Sequence, residues 1–221
     1  MRPESAARIT LRPIANPLPL GFLALAVATL LVSALQLQWL DPAEERAVGL
    51  VLLGFVVPAQ AVGSILSYLS RDVVGGTSLG VLAGTWLSIA LVTLTSPPGE
   101  TSRGLAVHLA IVALVLLIPA AGAATGKLVL AAVLVTAAIR FGVTAGHEWT
   151  GADGWQFAAG VAGLVLFVIA AYAALAMMLE DALRRTVLPL LRRDAGWASL
   201  DGDFDEQVRR IEGEAGVREQ L

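Results

Sequence analysis

A chain of 221 residues that is 57% hydrophobic and only 15% charged, with mean hydropathy +0.76, does not read as a water-soluble domain, in which about a quarter of residues are charged. Its net charge of −3 offers no clustered cations to a phosphate backbone, so nucleic-acid binding is excluded. With no cysteine there are no disulfides, no thiolate nucleophile and no Cys-built metal centre.

Ionisable residues divide the chain into apolar intervals, and a hydrocarbon core of ~30 Å asks for about 20 apolar residues per helix. The charge-free intervals between Arg12 and Asp41, Arg46 and Arg71, Asp72 and Glu100, and Arg103 and Lys127 hold 28, 24, 27 and 23 residues. Two more follow: 20 residues from Lys127 to Glu148, interrupted once by Arg140, and 26 from Asp153 to Glu180. No interval alternates with period two, which argues against a β-barrel. The expected fold is therefore all-α: a polytopic membrane protein with six transmembrane helices near 17–40, 47–70, 73–96, 104–124, 127–146 and 155–191, the last running past the membrane. Leaving out the distal tail, nine cations fall on the side of the N-terminus and three on the other, which predicts both termini in the cytoplasm. Trp39, Trp149 and Trp155 then fall at the outer interface.

Residues 1–15 read as a cytoplasmic segment and residues 16–193 as the membrane domain. The first span is too long for a signal peptide, whose apolar core is only ~7–15 residues. It opens on Asn16-Pro17-Leu18-Pro19-Leu20-Gly21. This string reads either as a rigid helix start or as a mouth whose free amide donors and positive dipole end meet a carboxylate. In the second span, Gln60 lies near the middle with Pro58 two positions before it, and proline opens the backbone ladder toward a cavity. Thr77, Thr85, Ser88, Thr136 and Tyr172 are further uncharged polar groups within spans, each readable as an interhelical hydrogen bond or as part of a conduit. In the third span Gly76, Gly80 and Gly84 share one face, which serves close packing first and a wider pore second.

Arg140 is the one formal charge inside a span, about two turns from its outer end. It reads either as a side chain snorkelling to the headgroups or as an anion-attracting vestibule. His108 and His147 sit near outer helix ends, and no acidic residue lies deep in a span. No cluster of catalytic or metal-ligating residues shares one depth, so neither an enzyme nor a cofactor or metal site is expected. Residues 194–221 hold eight acids and three arginines and form an acidic cytoplasmic tail, either a solvated extension or a partner-binding helix.

Three stretches together resemble the YaaH-type acetate uptake transporter family: Asn16 to Gly21; Ala59-Gln60 through Tyr68, Gly75 and Thr77 to Trp86-Leu87; and Tyr172 with the closing Arg185-Thr186-Val187-Leu188-Pro189. They stand in family order and cover nearly all of 16–190. The resemblance implies a six-helix protomer with its own pathway, assembled as a homo-hexamer in the inner (plasma) membrane, passing acetate and related small carboxylates, succinate among the candidates. It further implies a throat at Leu25, Leu82 and Ala137, where relatives carry bulkier, often aromatic, side chains. The small Ala137 points to a looser constriction. Met177 stands where the family has an acidic residue, so that residue's role is not carried over.

The pathway residues expected from spacing and resemblance together are Asn16, Pro17, Pro19, Leu20, Gly21, Leu25, Gln60, Thr77, Leu82, Trp86, Ala137 and Tyr172. With no deep titratable group, either the neutral acid permeates or the path is channel-like, with Gln60 and the Asn16 mouth replacing water around an anion. Two other readings differ in class or cargo: a membrane scaffold or sensor that signals through its tail, and a carrier of ammonia or another small neutral solute.

Overall fold

The computed structural model describes residues 14–183 and 185–192. The expectations for residues 1–13 and for the acidic tail lie outside the described residues. Six helical stretches are long and apolar enough to cross a membrane: Leu18–Gln36, Pro42–Leu69, Val73–Thr95, Arg103–Ala124, Leu128–Thr150 and Asp153–Leu183. Among the described residues no strand forms. The first span is α1 (Leu18–Gln36), and the second is composite. It runs from a 3-10 turn, Pro42–Glu44, through α2 (Glu45–Val51), a π-helical stretch Leu52–Val56 and α3 (Val57–Leu69). The remaining spans are α4 (Val73–Thr95), α5 (Arg103–Ala124), α6 (Leu128–Thr150) and α7 (Asp153–Leu183).

The helix ends carry capping chemistry that satisfies orphan backbone groups. Asp72 accepts the Gly75 N–H and starts α4; Ser102 accepts the Leu105 N–H and starts α5. Gly151, left-handed at φ +68°, closes α6 as glycine does at helix C-termini. The π-helical stretch has a local cause: Pro58 lacks an N–H and its ring crowds the carbonyl four residues back, at Gly54. Pro58 and Gly54 are both exposed on the side of the bundle, so the interruption faces away from the core.

In the bundle α5 packs mainly on α6, α7 on α1 and α6, and α3 on α4. The interior is built by α1, α4 and α6, which supply Phe22, Leu25, Leu79, Leu82, Trp86, Leu134, Ala137 and Phe141 to one fully buried cluster. Much of the outer wall is apolar and exposed, as a bilayer solvent allows: Ile118, Leu114 and Val168 are each more than 60% accessible. The glycine face of α4 divides. Gly76 lies under the Tyr68 ring and Gly80 against Ser64, while among the described residues nothing comes within 4 Å of a Cβ placed at Gly84. Ser64 donates to the Gly76 carbonyl at 2.7 Å, a close α3–α4 contact that the small residues permit.

The last span differs from the expected 155–191 helix. It ends at Leu183, and residues 185–192 turn back beneath the bundle. Thr186 and Val187 are β-branched, and Leu188 precedes Pro189, a context that disfavours helix. Docking supplies the alternative: Leu190 is buried, the Tyr172 hydroxyl donates to the Pro189 carbonyl at 2.9 Å, Arg192 pairs with Glu180, and Arg192 forms an antiparallel bridge with Lys127.

Candidate functional site

Two cavities open at opposite ends of this bundle. The proximal one, about 610 Å³, lies where the first and last described residues meet, lined by Asn16, Pro17, Asp72, Lys127, Leu130 and Arg192 among others. The distal one, about 720 Å³, is lined by the far ends of α1 and α4 and by Leu105, Leu109, Arg140, Thr144 and His147. On α6 the two are separated by the stretch from Leu130 to Arg140, about 15 Å at 1.5 Å per residue. Fully buried Leu25, Leu82 and Ala137 lie within that separation, with Leu79 and Leu134 beside them. The three positions expected to form a throat thus lie at depths between the vestibules, within one buried apolar cluster.

The other expected pathway residues divide by where helix rotation carries them. Asn16 and Pro17 line the proximal vestibule. Asn16 Oδ1 accepts the Leu18 N–H at 3.1 Å, Pro19 has no N–H, and the Gly21 N–H turns to the Pro17 carbonyl. Most first-turn donors are therefore consumed or absent, and the expectation of a mouth with free donors is corrected: the string caps α1. Leu20 is 41% exposed on the side of the bundle, away from the throat. Gly21 is buried where a Cβ would collide with Leu79.

Gln60 is fully buried and lines neither vestibule. Its Nε2 donates to the Gly21 carbonyl at 3.3 Å, tying α3 to α1, and its Oε1 has no partner among the described residues. Thr77 bonds Tyr68 across the α3–α4 turn at 2.7 Å, and Tyr172 holds the C-terminal segment, so both serve packing. Met177 lines the proximal vestibule, where Lys127 and Asp72 form an ion pair at 2.7 Å.

Arg140 does not snorkel to lipid. It is fully buried within the protomer and lines the distal vestibule, with its guanidinium carbon 5.4 Å from the Trp86 ring centroid and 5.9 Å from that of Phe141. Trp86 and Phe141 meet edge to face at 5.6 Å. Two residues that sequence reasoning missed complete this corner, Ser33 on α1 and Gly163 on α7. A Cβ at Gly163 would run into both Ser33 Oγ and Arg140 Nε. No sequence signal marks either one, because a serine and a glycine in an apolar helix are ordinary packing residues.

The sequence model of the GPR1/FUN34/yaaH family matches residues 1–191. Among solved structures, the one described as the structure of the bacterial acetate channel SatP superposes with a TM-score of 0.69 at 27% identity, covering 80% of this chain and 98% of that chain. No curated protein matches the chain.

Proposed function

The chain belongs to the GPR1/FUN34/yaaH family, and on that premise we propose that it carries acetate and related small monocarboxylates across a membrane through a pathway inside each protomer. The observation that carries this reading is the pair of vestibules at opposite ends of one six-helix bundle, facing each other across a short apolar throat. The similarity to a structure described as an acetate channel supports the cargo. Leu25, Leu82 and Ala137 form the constriction, with Trp86 one turn beyond Leu82. The apolar wall deters a hydrated anion, since unpaired polar or charged groups lose several kcal/mol on leaving water. Passage therefore requires the throat side chains to swing aside or the substrate to enter largely dehydrated.

The proximal end is assigned to the cytoplasm of a plasma membrane by the positive-inside rule, and the exposed apolar walls are suited to lipid and to neighbouring copies in a homo-hexamer. Labelled-acetate uptake into proteoliposomes across a pH series, with and without an imposed potential and corrected for acid leak through protein-free vesicles, tests the reading. Saturable flux above leak is expected. Flux equal to leak at every pH retires the carboxylate assignment.

A further inference from the structure

We propose that Arg140, with Ser33 and Trp86, forms a binding site for one ionised monocarboxylate at the inner end of the distal vestibule. The inference deepens the transport reading and rests on it for the identity of the anion. Its physical basis is a corner made of donors. Nε, Nη1 and Nη2 of Arg140, the Ser33 hydroxyl and the Trp86 indole N–H are all buried without a hydrogen-bond partner among the described residues. A guanidinium and an indole can only donate, and a hydroxyl can do so. A group that satisfies such donors is acceptor-only, and a carboxylate matches the guanidinium fork in its planar, bidentate geometry.

The placement supports the same assignment. A buried cation without a counter-ion is held at considerable cost in desolvation, and among the described residues Arg140 meets the faces of Trp86 and Phe141 but no carboxylate. Gly163 keeps the slot open, since a Cβ there would stand 2.8 Å from Arg140 Nε. The site sits directly beyond Ala137, at the step where an anion must shed water before the throat.

The acids that share the vestibule set the charge it accepts. Asp41, Glu45, Glu100, Glu148 and Asp153 line it farther from the throat. Glu45 accepts the Gly99 N–H and Glu148 the Ser102 N–H, so both stay fixed in place. A rim of this sign repels a dianion about twice as strongly as a monoanion, while one arginine neutralises only one charge. The site therefore takes a monocarboxylate in preference to a dicarboxylate.

The test uses the purified full-length protein in lipid nanodiscs, with thermal stability followed at constant ionic strength as sodium acetate, sodium succinate or sodium gluconate is added. Acetate is expected to raise the melting temperature of the wild type by several degrees, to raise that of Arg140→Lys less, and to leave Arg140→Gln and Gly163→Ala unmoved. Succinate should need at least tenfold higher concentration. In proteoliposomes Arg140→Gln should raise the half-saturating acetate concentration at least tenfold. Equal acetate stabilisation of the wild type and Arg140→Gln, or no stabilisation of the wild type, overturns the site. Equal potency of succinate overturns the monocarboxylate assignment. If acetate binds in an Arg140-dependent manner but no flux exceeds leak, the site stands and the transport reading falls. If flux saturates identically in the wild type and Arg140→Gln, the transport reading stands and the site falls.

Discussion

At the level of single side chains, depth along a span and direction around it are separate questions, and Gln60 separates them. Its depth made it a candidate for the conduit, yet its amide reaches the Gly21 carbonyl and touches neither vestibule. Interhelical hydrogen bonds in membranes average ~0.6 kcal/mol. Gln60→Leu also removes the unpartnered Oε1, so the net effect on stability is expected to stay within about 1 kcal/mol. Acetate flux should change less than twofold. A severalfold fall in uptake, with the assembly intact, returns this amide to the pathway. Ala137 gives the opposite expectation, because it is fully buried between the vestibules, where the throat is proposed. Adding three carbons there by Ala137→Leu costs about 1–3 kcal/mol of overpacking. Butyrate uptake should fall more than acetate uptake, and an unchanged ratio of the two removes Ala137 from the constriction.

At the level of elements, the C-terminal segment shows how docking overrides a simple helical extension. The apolar run of the last span is plain in the sequence, but its end depends on partners remote in the chain: Tyr172, Glu180 and Lys127. The Glu180 carboxylate is nearly buried, and Arg192 retains 20% of its side-chain exposure. Removing the arginine strands the acid, whereas Glu180→Gln leaves a neutral group. Arg192→Ala is therefore expected to destabilise by on the order of 2 kcal/mol, less than the ~3–5 of a fully buried pair. Glu180→Gln should be milder. Limited trypsin digestion at Arg185 reads this directly: cleavage should accelerate in Arg192→Ala, and an unchanged rate means that the segment is held without the pair. The π-helical stretch is similar in kind. Pro58 announces a disturbed ladder, while its outward direction follows only from how α2 and α3 lie on the bundle.

At the level of the whole molecule, the proposed pathway joins an apolar throat to a buried cation, and this combination makes a statement about charge. If the carboxylate crosses as an anion, an imposed potential should change uptake in proportion to the charge moved, about 2.3 kcal/mol per 100 mV for one full crossing. Potential-independent uptake that follows the protonated fraction of acetate identifies the neutral acid as the species that crosses. Deleting residues 194–221 separates transport from a scaffold role: uptake should persist without the tail, and its loss points to a function exerted through that segment. The mass of the nanodisc-embedded assembly checks the proposed hexamer.

The sequence by itself determined that this chain has six spans long and apolar enough to cross a membrane, that its described ends meet on one side, and that its motifs are those of the family to which it belongs. Those properties depend on the length of charge-free intervals, on an even number of spans and on motif order, all of which are written along one dimension. Tertiary structure alone decided that Arg140 points inward rather than to the lipid headgroups, that Ser33 and Gly163 stand beside it, that Gln60 ties two helices, and that residues 185–192 fold back. Each of these depends on the rotation of one helix against others, settled by side chains up to 130 positions apart packing in three dimensions. Hydropathy records how deep a residue lies in a span, but only packing decides which way it faces.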